Sequence, residues 1–188
     1  DAIRRSRIEG LEPLATVCRD MLAPIEARPT LRLELTNILN RPIKGTLTVR
    51  LGGLQVEAPS VLAFRPHETK LVEVRVVGGA AREDNTYPLS LVFDAGPDGR
   101  AVHEEDMHVN LVSRRTIEVD GRLDDWAGAL PQVVSVHGRA GPTLTEFAWQ
   151  PFKQFDQSVK KGLATGYVAY DDRYFYFAAK IADDTPDE

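Results

Sequence analysis

Five stretches of this chain alternate between apolar and polar residues, and that period of two constrains its fold more than any other feature. Leu31, Leu33 and Leu35 alternate with Arg32, Glu34 and Thr36. Leu47, Val49 and Leu51 alternate with Thr46, Thr48 and Arg50. Val72, Val74 and Val76 follow the same rule, as do Leu89, Leu91 and Phe93, and then Val109 and Leu111. Successive side chains of a strand point to opposite faces, so each run predicts a half-buried strand with one face inward and the other toward water. Helical periodicity is scarce by comparison, and the expected fold class is all-β.

The connections carry turn chemistry. Asn40-Arg41-Pro42-Ile43-Lys44-Gly45 separates the first two runs, and Asp94-Ala95-Gly96-Pro97-Asp98-Gly99 separates the Phe93 run from the last. Glycine supplies positive φ and proline fixes φ near the turn value. Short strands spaced by such turns predict a β-sandwich, and Leu14 to Ser113 spans roughly the 100 residues usual for an immunoglobulin-like one. The order Leu31-Arg-Leu-Glu-Leu-Thr-Asn37, Gly45-Thr-Leu-Thr-Val49, Phe64-Arg-Pro-His-Glu-Thr69 and Tyr87-Pro-Leu-Ser-Leu91 resembles the bacterial immunoglobulin-like domains that accompany glycoside hydrolases. Residues 1–13 read as a leader and 14–113 as the sandwich. A boundary is expected near Ser113-Arg114-Arg115, because four of the five tyrosines and both tryptophans lie beyond it.

Charge and cysteine content narrow the functional classes. The chain has 188 residues, 23 basic against 28 acidic, for a net charge of -5. It shows no long basic run, so nucleic-acid binding has no electrostatic footprint. Cys18 is the single cysteine, so it forms no internal disulfide and no thiolate metal site by itself. No apolar run reaches the roughly 18 residues of a membrane helix, so no membrane span is expected. The opening Asp1-Ala-Ile-Arg-Arg5 and the abrupt end are read as those of a processed or trimmed product.

Two motifs set the later segment apart. The first is Thr116-Ile-Glu-Val-Asp-Gly-Arg-Leu-Asp-Asp-Trp126, and the second runs Gly166-Tyr-Val-Ala-Tyr-Asp-Asp-Arg-Tyr-Phe-Tyr-Phe177 and closes on Asp183-Asp184. Ile117 and Val119 predict a short strand, and Leu123 and Trp126 suit one tight turn pinned onto a core. Asp171-Asp172 lies between two alternating aromatic runs and predicts a hairpin turn. Tyr167 and Ala169 face one way, and Val168 and Tyr170 the other. Aromatics on both faces predict either a strand covered on each side or one face left as a platform.

Together these motifs resemble the opening part of a family 9 carbohydrate-binding module, over Thr116 to Glu188. The resemblance implies a partial second β-sandwich over 114–188, cut short of a full module. It implies a non-catalytic accessory region of a larger exported protein, which is secreted, periplasmic or cell-surface, with a polysaccharide or oligosaccharide as partner. Exposed sheet edges in a shortened module imply self-association, packing on the first domain or domain swapping. Haem-binding kin of such sandwiches need axial Met or His, and this segment offers only His137.

Candidate site residues follow from sugar chemistry, which uses flat aromatic faces with carboxylates nearby. Trp149 lies in a long connection with Phe147, Phe152 and Phe155, while Tyr170 and Tyr174 flank the hairpin turn. Trp126 reads as structural core. Modules of this family carry calcium, and the resemblance offers Asp120, Asp124, Asp171 and Asp172 as ligands; the alternative is turn and capping use of Asp. His103-Glu104-Glu105-Asp106-Met107-His108 fails the zinc-protease pattern, because its histidines are five apart and a strand sends them to opposite faces. No nucleophile elbow or phosphate loop is present, so any catalytic domain is expected outside this chain. The competing reading is a structural spacer or protein-interaction sandwich without a ligand.

Overall fold

The computed structural model describes residues 12–134 and 164–181. Among the described residues it is all-β, with twelve strands and three short 3₁₀ turns. The first eight strands are β1 (Leu14–Arg19), β2 (Thr30–Asn37), β3 (Ile43–Leu51), β4 (Gln55–Glu57), β5 (Val61–Phe64), β6 (Thr69–Gly78), β7 (Thr86–Asp94) and β8 (Arg100–His108). They form two antiparallel sheets, ordered β1-β2-β6-β4 and β5-β3-β7-β8. The chain crosses between sheets at every step from β2 to β7, and the result is a two-sheet β-sandwich.

The alternating runs supply its core. Leu31, Leu33 and Leu35 of β2 and Val72, Val74 and Val76 of β6 are buried. They join one cluster with Leu47 and Leu51 of β3 and with Tyr87, Leu89, Leu91 and Phe93 of β7. Phe64 meets the edge of Phe93 with ring centroids 5.8 Å apart. Fully burying each such side chain contributes about 1.5–3 kcal/mol, so the inner faces fix both pairing and register.

Two polar side chains close the ends of this core. Asn37, which ends β2, is fully buried. Its Nδ2 donates to the carbonyls of Arg41 at 2.8 Å and Arg65 at 2.9 Å, and its Oδ1 accepts from the Leu39 amide at 2.9 Å. One side chain thereby satisfies backbone groups of two separate loops. At the other end Asn85, also buried, exchanges hydrogen bonds with both backbone groups of Val109. It also donates to the Pro131 carbonyl at 3.2 Å, which ties the later segment to the sandwich.

Several details differ from the sequence-based expectation. Gly45 lies inside β3, not in the turn before it. A Cβ there would fall 2.5 Å from the Asp94 carbonyl oxygen and 2.6 Å from the Phe93 ring, so close sheet packing accounts for the glycine. The last strand runs from Arg100 to His108, earlier than the Val109–Leu111 run suggested. Val109 instead forms an isolated parallel bridge with Met21, which links the ends of the first and last strands. Residues Ile117 and Val119 form no strand: Ile117 is buried, whereas Val119 is 88% exposed.

The later segment contributes β9 (Ser113–Arg114), β10 (Gln132–Val134), β11 (Ala164–Tyr170) and β12 (Phe175–Ile181). They form one sheet, ordered β10-β11-β12, with β9 parallel to the end of β11. Ser113 and Arg114, placed at the expected domain boundary, already belong to this sheet. Among the described residues no helix is long and apolar enough to cross a membrane.

Replacing Asn37 by Ala removes three part-buried hydrogen bonds that join two loops, each contributing about 0.5–1.5 kcal/mol. The expected result is a denaturation midpoint lowered by an amount equivalent to about 2–4 kcal/mol, with an unchanged m-value. A midpoint equal to wild type would refute the keystone role.

Candidate functional site

The two faces of the β11–β12 hairpin have opposite fates. Register pairs Tyr167 with Ala178 and Ala169 with Tyr176, so these four share one face. That face is covered by Ile117, Trp126 and Ala129, which form a second small core with Ala169. Trp126 is 6% exposed, and its ring lies 6.2 Å from that of Tyr167. A 3₁₀ turn, Asp124–Trp126, delivers the tryptophan. Arg115 pins this turn by donating from Nη1 to the carbonyls of Asp125 and Ala127, while its own amide bonds the Tyr170 carbonyl. Trp126 is core, as its tight motif turn suggested.

The opposite face carries Val168 and Tyr170 beside Phe177 and Phe175, with Ile181 further along β12. Phe175 is 68% exposed, Phe177 69%, Ile181 68% and Tyr170 42%. Soluble proteins rarely leave neighbouring large apolar side chains open in this way unless the patch meets something. Arg114 is the cross-strand neighbour of Tyr170, and its guanidinium donates to Asp172. A charged pair therefore borders the aromatic patch. Rings flanked by fixed donors and acceptors can stack on the apolar side of a sugar ring and bond its hydroxyls.

The hairpin turn is organised by Asp171. Its Oδ1 accepts from the amides of Arg173 and Tyr174, each at 2.8 Å, and its Oδ2 accepts from the Tyr176 hydroxyl at 2.7 Å. The bond from Tyr176, reinforced by the two amides, holds the Asp171 carboxyl down at about 2. The same bond pushes the Tyr176 phenol up.

The structure separates the residues that sequence grouped. Tyr170 stands on the open face. Tyr174, 63% exposed, sits in the turn with its ring 6.1 Å from Tyr176, a covered-face residue. Trp149 lies outside the described residues, as do Asp183 and Asp184. Asp120 accepts from the Arg122 amide, Asp124 pairs with the Arg122 guanidinium, and Asp172 pairs with Arg114. Among the described residues these aspartates do not converge on a common ligand position. Phe175 and Phe177 were not singled out from the sequence, although their alternation with Tyr174 and Tyr176 was visible; only the cover supplied by Trp126 tells the two faces apart.

A second constellation lies at the side of the sandwich. The edge strands β1 and β8 of opposite sheets come together there, and the inward-facing Cys18, His103 and Glu105 meet. Nε2 of His103 is 2.9 Å from Oε2 of Glu105. Burial, with the Glu105 carboxylate adding to it, pushes the Cys18 thiol up to about 12. Cys18 is thus protonated at neutral pH and poorly suited to nucleophilic attack. A shallow depression on the outer face of the sandwich, lined by Thr46, Thr48, Val92, Asp94, Gly96 and Arg100, has neither an aromatic ring nor a comparable cluster in its lining.

No protein-family model and no curated protein matches this chain. Among solved structures, a FixG-related protein from Vibrio parahaemolyticus aligns over 54% of this chain and 100% of its own at 14% identity, with a TM-score of 0.40. A likeness at that level carries no argument about function.

Because Asp171 titrates below its ordinary value of 3.8, its charge stabilises the turn at pH above about 4, and that contribution is lost as pH falls through about 2. The amide shifts of Arg173 and Tyr174 are expected to titrate with a midpoint near 2 in wild type, and with a higher midpoint in Tyr176→Phe. Midpoints near 4 in both proteins would rule out the hydrogen-bonded turn.

Proposed function

We propose that this chain is a non-catalytic accessory region of a larger exported protein, and that the open face of β11–β12 binds a polysaccharide or oligosaccharide. The observation that carries this reading is the row of exposed Tyr170, Phe175 and Phe177 beside the Arg114–Asp172 pair. Stacking on a sugar ring would cover area that otherwise stays in contact with water, at roughly 25 cal/mol per Å². The paired charges supply donors and acceptors for hydroxyls without a large backbone rearrangement. The motifs of Thr116–Trp126 and Gly166–Phe177 add the resemblance to family 9 carbohydrate-binding modules. Calcium enters the same reading only through that resemblance, since the described aspartates are held by arginines and backbone amides.

One observation favours a second reading, a protein-interaction surface without a sugar ligand. Strand β12 is an edge of its sheet among the described residues, and its outward residues Phe175, Phe177 and Ile181 are apolar. An unpaired apolar edge is a template for pairing with another chain.

Titration with a panel of mono- and oligosaccharides, with and without calcium, separates the two. The expected outcome is saturable binding to at least one glycan, weakened about tenfold or more (~1.4 kcal/mol) by Phe177→Ala. No binding to any glycan, together with concentration-dependent dimers that Phe177→Ala abolishes, would replace the sugar reading with the interaction reading.

A further inference from the structure

The seam between the first and last strands of the sandwich gathers three ligating side chains of different chemistry. Cys18 points inward from β1, and His103 and Glu105, two residues apart, point inward from the same face of β8. One sulfur, one ring nitrogen and one carboxylate oxygen lie within 4.8 Å of one another, and all three residues are half-buried. Around a tetrahedral zinc ion, bonds of about 2.0–2.3 Å put ligand atoms roughly 3.3–3.7 Å apart, inside that span. The three donor atoms are therefore close enough to share one ion.

The donor set selects the kind of ion. Sulfur and imidazole nitrogen disfavour calcium and magnesium, which want several oxygens. The carboxylate disfavours copper(I), and iron–sulfur clusters call for more thiolates than one. A thiolate, a neutral imidazole and a carboxylate match the ligands zinc takes in proteins, and a dication cancels their two negative charges in this half-buried place. The site also has a structural logic. Beyond β1 and β8, Met21 and Val109 form only an isolated bridge between the two strand ends, so an ion bound to Cys18 and to β8 would join the two sheets along the same side.

We propose that Cys18, His103 and Glu105 form a binding site for a borderline divalent transition-metal ion, zinc foremost, with a fourth position open to water or an outside ligand. On binding, the S–H bond breaks, its proton goes to solvent, and the sulfur pair forms the bond to the metal. The His103–Glu105 hydrogen bond is exchanged for two further metal bonds: the proton held between them passes by way of solvent to the other ring nitrogen, leaving a neutral imidazole with a lone pair for the metal, and no electron is transferred. This inference is independent of the sugar reading.

Cobalt(II) added to the full 188-residue chain provides the test. The expected result is one ion per chain, with the intense visible bands of tetrahedral cobalt and a near-ultraviolet thiolate-to-cobalt charge-transfer band, both removed by zinc. Cys18→Ser is expected to abolish the charge-transfer band. His103→Ala and Glu105→Gln are expected to retain the fold by circular dichroism and to weaken cobalt binding tenfold or more. Zinc is expected to raise the Tm of wild type but not of His103→Ala. Absence of the charge-transfer band in wild type overturns the proposal. So does an affinity for cobalt that is unchanged in both His103→Ala and Glu105→Gln, which keeps the test decisive if Cys18→Ser fails to fold.

Discussion

Leu31, Leu33 and Leu35 on one sheet share a core with Leu89, Leu91 and Phe93 on the other, and all six are buried. Each strand has only one face to give to this core. A slip of one residue would turn β2 inside out and expose three leucines while burying Arg32 and Glu34. The register that follows decides what lies at the sandwich margins. It puts β1 and β8 at corresponding edges of opposite sheets, brings Cys18 to His103 and Glu105, and leaves Asn37 and Asn85 to satisfy backbone groups where the strands end.

The later sheet obeys the same physics with less material. Its covered face is built from small and aromatic residues, Ala169, Tyr167 and Tyr176, under a single turn of chain that carries Trp126. Arg115 and Asp171 do with hydrogen bonds what a larger core would do with area: one pins the covering turn and the other closes the hairpin. The other face carries Tyr170, Phe175, Phe177 and Ile181, which have no comparable cover among the described residues. The proposed glycan contact depends on this asymmetry.

The sandwich was largely legible because its strands alternate cleanly and its turns carry Gly, Pro and Asp. Legibility failed where tertiary contact overrides local pattern. Gly45 looks like a turn residue but is a strand residue excluded from having a side chain by Asp94 and Phe93. Ile117 and Val119 alternate like a strand, yet the chain there serves to bury one residue beneath a sheet rather than to pair. The hairpin and its facing rule were readable from Tyr167 to Ala179. Which face stays open was not, because that depends on where Trp126 folds back. The Cys18 cluster was invisible for a related reason: its donors come from strands at opposite ends of the sandwich sequence, and neither segment alone has metal-site spacing.

One face of the β11–β12 hairpin is covered and the other open. Solvent paramagnetic relaxation, measured by nuclear magnetic resonance on side-chain protons of the full chain, reads this directly. Strong enhancement is expected at Phe175, Phe177 and Ile181, and weak enhancement at Trp126, Tyr167 and Ala169. Equal protection of both sets would contradict it, because the aromatic face would then already be occupied within the chain.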